Sequence, residues 1–173
     1  NWYNGDPLEF VGEYYKHTLM TPAFTPEDKD FGAPKVILAA VGPKMTEVAG
    51  EVADGMIIHP FSTMAYINEV TMPAIERGLA KAGKSRDGFE LSYSCFVVIG
   101  RDEEEFAKSK KATQERIAFY GSTPAYKGVL DSIGCGELQG ELNTMSKQGR
   151  WKEMGTLISD DMLDKFGVMG EPH

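Results

Sequence analysis

The chain has 173 residues, 42% of them hydrophobic, and a formal net charge of -8 at pH 7. That is enough apolar material for one domain with a packed core, which sets disorder aside. The negative balance disfavours nucleic acid and anionic membranes as main partners, and no apolar run in the sequence is long enough to span a bilayer.

The first residues, Asn1 to Asp6, lack the basic and apolar regions of a secretory leader. Leu8 to Val11 and Tyr14 to His17 pair as a hairpin around Gly12-Glu13. An irregular Pro-rich stretch from Thr21 to Phe31 follows. Val36 to Ala40 is an apolar run of strand length. Gly42-Pro43 then opens a helix, since proline at the first helical position loses no hydrogen bond. Lys44 to Val52 is expected to be helical, with Met45, Val48, Ala49 and Val52 turned inward. Asp54-Gly55 leads into a second buried strand, Met56-Ile57-Ile58. Strand, helix, strand in this order makes a βαβ unit with parallel strands. Their C-terminal ends are Ala39 to Gly42 and His59-Pro60, the side on which α/β proteins hold ligands.

Ser62 or Thr63 caps the next helix, which runs through Tyr66, Ile67, Val70, Ile75 and Leu79 and is kinked or divided by Pro73. Gly83 and Gly88 end it. Leu91 to Ile99 reads as one third strand with Cys95 to Ile99 as its buried portion. Asp102 and Glu105 form a capping box for a long helix with a moderate apolar stripe. Ser122-Thr123-Pro124, Glu137 to Lys147, Trp151 to Ile158 and Ser159 to Phe166 complete a helical cluster. No repeat or linker divides the chain, so a single domain over residues 1–173 is expected. Cys95 and Cys135 sit far apart and read as buried or spare thiols rather than a disulfide or a metal pair. With three scattered histidines no metal constellation is visible. A cytoplasmic setting is expected.

Four places invite a chemical reading. Small residues at Ala39, Ala40, Val41, Gly42 and Pro43 let a flat ring or a phosphate approach the backbone, and the helix after Pro43 turns free N–H groups toward that point. An ordinary tight turn is the plainer alternative. His59, at the end of the second strand, either donates to a ligand or serves as a structural histidine. Tyr120 and Ser122 stand before a new helix start, where capping explains the hydroxyl equally well. Asp102 to Glu105 is the dipole-favoured first turn of a helix and needs no catalysis. One motif match is set aside. Gly78 to Ser85 fits the P-loop spacing, but it closes a helix and precedes a strand, the reverse of the context a P-loop requires.

Ala39-Ala40-Val41-Gly42-Pro43 followed by Ala49-Gly50-Glu51-Val52-Ala53-Asp54-Gly55 resembles the luciferase-like flavin and deazaflavin dependent family. Gly12-Glu13-Tyr14-Tyr15 is similar to that family's hairpin. Phe119 to Tyr126 resembles the subgroup that uses coenzyme F420. The resemblance implies an α/β fold built on a (β/α)8 barrel. A complete barrel needs about 250 residues, so the chain is expected to hold the C-terminal part: about three parallel strands, a helical cluster and a small hairpin. Gly167 to His173 stands where the family would begin a final helix. The resemblance further implies an oxidoreductase moving hydride with coenzyme F420, or alternatively an FMN-dependent monooxygenase, and this part of the barrel alone is expected to show weak or absent catalysis because half of the barrel mouth is missing. It places the cofactor on the turn Ala39, Ala40, Val41, Gly42 and Pro43 and the substrate near Tyr120 and Ser122, while His59 is a candidate cofactor contact from its place at the neighbouring strand end. A half-barrel that only self-associates is the alternative of another class. A small-molecule substrate, and either a homo-oligomer or a missing N-terminal half, are the expected partners. Lys84→Ala is expected to leave stability nearly unchanged.

Overall fold

The computed structural model describes residues 4–25 and 27–170; residues 1–3, 26 and 171–173, His173 among them, lie outside the described residues. The chain groups into two compact units, Asn1–Lys35 and Val36–His173. In the first, β1 (Phe10–Val11) pairs antiparallel with β2 (Lys16–His17), Phe10 opposite His17 and Val11 opposite Lys16. The Gly12 N–H donates to the Tyr15 carbonyl at 2.9 Å and closes the expected hairpin.

The second unit begins with the βαβ motif read from the sequence. β3 (Ile37–Ala40) leads through Gly42 into α1 (Pro43–Val52) and back along β4 (Gly55–Ile58), parallel to β3 with Ile37 opposite Gly55. Gly42 has φ 77°, a left-handed conformation that favours glycine. Asp54 ties the return of the chain, because its carboxylate accepts from the Val36 N–H at 2.8 Å. β5 (Glu90–Tyr93) joins the other side of β4, also parallel, giving the order β3-β4-β5.

Side chains alternate across this sheet. Leu38, Met56 and Leu91, then Ala40, Ile58 and Tyr93, face the helices, where Met56, Ile58, Ile75, Leu79 and Phe89 form a core with Ala49. Burying each large apolar side chain there contributes about 1.5–3 kcal/mol. Ala39, Ile57 and Ser92 line the other face and are exposed.

Helix α1 presents a different side from the one its apolar periodicity indicates. Thr46, Ala49 and Gly50 are buried, whereas Met45, Val48 and Val52 are exposed. The reason is close packing on α3 (Met72–Lys81). A Cβ at Gly50 would stand 2.5 Å from the Ile75 carbonyl oxygen, and one at Gly78 2.0 Å from that of Glu47. Only a face of small residues permits this approach, so the larger Met45, Val48 and Val52 stay outside.

Before α3 come α2 (Met64–Tyr66) and one π turn, Ile67–Thr71. Thr63 caps α2 by accepting from the Tyr66 N–H at 3.1 Å. Pro73 sits in the first turn of α3, where it is tolerated, so the expected division of the helix lies at the π turn before it. Gly83, with φ +64°, ends α3.

The single strand expected over 91–99 divides. β5 stops at Tyr93, Ser94 and Cys95 are exposed, and β6 (Phe96–Val98) starts a separate parallel pair with β7 (Gly167–Met169). Cys95 is thus on the surface rather than in a buried strand. Gly167 likewise opens a strand instead of a final helix. A Cβ there would meet the Phe96 carbonyl oxygen at 2.6 Å, so glycine allows the two strands to pair.

Between β6 and β7 lie α4 (Glu103–Gly121), α5 (Lys127–Asp131), α6 (Leu138–Lys147), α7 (Trp151–Met154) and α8 (Asp160–Phe166). Asp102 caps α4 by accepting from the Glu105 N–H at 2.8 Å, while Glu105 reaches back to the Arg101 N–H at 3.1 Å. These helices enclose a second core that includes Phe61, Phe96, Ile117, Leu130, Leu142 and Phe166. No helix among the described residues is long and apolar enough to cross a membrane.

Lys84, the lysine of the rejected P-loop pattern, has a structural task. Its ammonium donates to the carbonyls of Glu51 at 3.0 Å and Ala53 at 3.2 Å, at the C-terminal end of α1. It therefore contributes to stability, contrary to the sequence expectation. Lys84→Ala should cost about 1 kcal/mol in urea unfolding. Gly78→Ala should cost more, about 2–3 kcal/mol, because α1 must move away from α3. Gly140→Ala is the control: a Cβ at this helical position meets nothing within 4 Å, so the change should stabilise by about 0.5–1 kcal/mol.

Candidate functional site

The two cores meet at the C-terminal ends of β3 and β4, and a cleft opens at that seam. Its interior holds about 20 Å³, the room of a single water molecule, and it widens to solvent at its mouth. One wall is Ala40, Val41 and Gly42 with Thr46 from the first turns of α1. The floor is Met56 and Ile58 of β4, and His59, Phe61 and Ser62 follow from the loop after it. Tyr66 and Thr71 come from α2 and the π turn, and Ala125, Tyr126 and Val129 close the far side.

The loop after β4 is tightly determined. The Ser62 N–H donates to the Pro60 carbonyl at 2.8 Å, and the Tyr93 hydroxyl donates to the Ser62 carbonyl at 2.9 Å. The Phe61 N–H donates to His59 Nδ1 at 3.0 Å. An acceptor at Nδ1 fixes the neutral tautomer with its proton on Nε2. Tyr126 stacks on the imidazole at 5.0 Å between centroids, and Tyr120 meets it edge-on at 4.8 Å. Burial pushes the His59 pKa below its ordinary value, which keeps the ring neutral. Burial also raises the Tyr66 and Tyr126 phenols, and Tyr120 adds to the effect on Tyr126. The site thus offers hydroxyl and imidazole donors without a formal charge of its own.

The start of α1 is the other half of the site. No side chain caps it, as none caps α3, α5, α6 or α7, whereas α2, α4 and α8 begin on Thr63, Asp102 and Ser159. A Cβ added at Gly42 would meet nothing within 4 Å. The open space above Gly42 and the uncapped amide end together are what a flat or anionic group needs in order to approach.

The structure brings Ala40, Val41, Gly42 and His59 together around one cleft. Pro43 occupies the first position of α1 without lining it. Ala39 points to the opposite face of the sheet, level with Ile57. Tyr120 supports the His59 ring from behind. Ser122 is turned away: its hydroxyl donates to the Phe119 carbonyl at 2.7 Å, and its carbonyl accepts from Gln139 and Asn143. Thr46, Tyr66, Thr71 and Tyr126 line the cleft and were not singled out by sequence reasoning.

His59 gives the fold a pH dependence whose sign follows from its lowered pKa. The unfolded chain takes up a proton near pH 6.5, whereas the folded ring resists it. Stability is therefore fully present above that pH and is lost as pH falls through the lower folded value. Thermal unfolding from pH 8 to about pH 5 should show this decline, and His59→Gln should flatten it over the same interval.

The model of the luciferase-like monooxygenase family matches residues 1–173. An uncharacterized protein of Mycobacterium tuberculosis is 50% identical over 169 residues, which is 98% of this chain and 50% of that protein. The 5,10-methylenetetrahydromethanopterin reductase of Archaeoglobus fulgidus is 30% identical over 175 residues, 97% of this chain and 49% of that protein. The solved structure of a coenzyme F420 dependent tetrahydromethanopterin reductase from Methanopyrus kandleri superimposes with a TM-score of 0.72 at 25% identity, over 98% of this chain and 47% of that one. The chain spans about half the length of the curated relatives it matches. Its parallel strands and outer helices correspond to about half of the barrel of that reductase. By sequence and by fold, the chain belongs to the luciferase-like monooxygenase family.

Proposed function

We propose that the protein is an oxidoreductase that uses the deazaflavin coenzyme F420, held along Ala40, Val41 and Gly42 with His59 beside them. The observation that carries this reading is the open, uncapped start of α1 above Gly42, facing a neutral imidazole donor. The residues fit such a group: small side chains admit a ring, backbone amides suit an anionic substituent, and His59 Nε2 offers a proton donor to a ring oxygen or nitrogen. The F420-dependent relative supports the choice of cofactor. When bound, the deazaflavin supplies the hydride chemistry. The part of this chain is to position and shield it. Tyr126 and Tyr120 fix the imidazole plane, and the Phe61 N–H fixes which nitrogen carries the proton.

A second proposal concerns assembly. Ala39, Ile57 and Ser92, with Val97 and Val168 on the separate β6–β7 pair, form surfaces more apolar than water-facing strands require. β3 and β5 are the outer strands of their sheet, and outer strands offer unpaired backbone groups. A second copy of the chain or the remaining half of the barrel covers these faces, and turnover depends on that cover.

Titration of F420 against the protein, read by cofactor fluorescence, tests the first reading. Gly42→Val should weaken binding at least about tenfold. Because this variant also strains a positive φ, His59→Gln is measured beside it and should weaken binding about fivefold with the fold retained. Unchanged affinity in both variants, or a preference for FMN at equal concentration, would overturn the assignment. Light scattering at low micromolar concentration tests the second: a monodisperse monomer that turns over a deazaflavin substrate is the result that defeats it.

A further inference from the structure

Helix α1 turns one apolar side outward. Met45, Val48 and Val52 are 50%, 39% and 61% exposed. Spaced three and four apart, they form a single stripe along the helix. At about 100° per residue, that stripe looks away from Glu47 and Gly50, the residues that meet α3.

Topology tells where the stripe points. Crossovers between parallel strands are right-handed. α1 therefore lies over β3 and β4, and α3 lies over β4 and β5. The side of α1 opposite α3 looks over the outer edge of β3, which pairs only with β4. An open strand edge and an open helix stripe thus share one border of the sheet. Folds blunt an exposed edge with charge, with proline or with a covering segment. Ile37, Leu38, Ala39 and Ala40 carry neither charge nor proline, which leaves the covering segment.

We propose that this border receives one strand–helix unit from the half of the barrel that the chain does not supply. Its strand adds parallel to β3, and its helix lies against Met45, Val48 and Val52. The inference rests on the assembly reading above and adds the element and the side of docking. The solved reductase extends well beyond the 47% of it that this chain covers. A strand parallel to β3, followed by a right-handed crossover, sets its helix over itself and β3, directly on the stripe. A two-fold copy joined through α1 would cover the border at β3 but not the one at β7, which pairs only with β6. A barrel half reaches both, because closure removes every open edge.

Charges beside the stripe give the incoming helix a polarity. Lys44 stands at the start of α1 and Glu51 near its end, and neither forms an ion pair among the described residues. The incoming helix runs parallel to α1. Acidic residues in its first turns and basic ones in its last turns therefore suit α1, and its own dipole favours the same order.

The test places the whole chain in a complete barrel, as a chimera in which it replaces the matched 169 residues of the Mycobacterium tuberculosis protein. Hydrogen exchange at the outward amides of Ile37 to Ala40 should be at least about tenfold slower in the chimera than in the chain alone. Val48→Asp should lower the melting temperature of the chimera by about 2–4 °C. The same change should leave the chain alone nearly unaffected, because its stripe already faces water. Ile57→Asp, on the inner face of the sheet, probes the assembly reading by itself. If it destabilises the chimera and Val48→Asp does not, the docking proposal falls and the assembly reading stands; if neither does, both fall. Should the chimera fail to fold, its two parts are co-expressed with a tag on one, and loss of copurification in Val48→Asp replaces the melting shift. The rival occupant has a signature of its own. A two-fold copy runs α1 against α1 in opposite directions and sets Lys44 beside the partner's Glu51. A dimer of the chain alone that Lys44→Glu breaks, and that Lys44→Glu combined with Glu51→Lys restores, would overturn the proposal.

Discussion

The close crossing of α1 and α3 sets the positions of the remaining parts of the site. With glycine at 50 and 78, the two helices meet backbone to backbone, and Glu47 accepts from both Arg77 and Lys81 across the contact. These ion pairs are largely exposed, so they orient the helices more than they stabilise them. The apposition itself is the constraint. It draws α1 flat onto β3 and β4, which turns Thr46 inward at one end and presents the C-terminal carbonyls to Lys84 at the other. Because α3 continues upward into the π turn, the same contact carries Thr71 and Tyr66 to the cleft.

The cleft lies at a seam for a related reason. The core under β3 and β4 and the core of α4 to α8 are separate clusters, and the loop after β4 passes from one to the other: Ile58 belongs to the first and Phe61 to the second. Residues between two cores cannot be packed fully by either. His59 sits at that point, and the protein stabilises it with aromatic faces and a backbone donor rather than with a charge. The Thr63 and Ser132 hydroxyls meet at 3.2 Å and tie the start of α2 to the end of α5, which holds the two sides of the seam together.

Much of this was legible in the sequence, and the failures share a physical cause. Apolar runs bounded by Gly-Pro and Asp-Gly marked β3, α1 and β4, because the turns demand those residues. Thr63, Asp102 and Gly83 announced helix ends through the same local chemistry. What periodicity could not show was which face of α1 would be inward. The count of large apolar residues favoured Met45, Val48 and Val52, while the deciding quantity was how near another backbone could come. The division of residues 91–99 at Ser94-Cys95 was hidden likewise, since an apolar stretch carries no mark of which partner each half will find; β6 takes its partner from Gly167–Met169, some seventy residues on. Thr46, Thr71 and Tyr126 converge only through tertiary packing, so no spacing in the chain connects them.

Charge separates two scales in this molecule. The chain carries a formal net charge of -8, which at long range opposes any anionic ligand until salt screens it. The cleft itself is lined by neutral groups, so nothing inside it adds to that repulsion or offsets it with a cation. What favours an anionic substituent locally is the uncapped start of α1, an effect that fades beyond the first turn. The peptide dipoles of α1 end at Gly42, whereas Thr46, Ser62 and Thr71 bring only neutral hydroxyl groups to the lining.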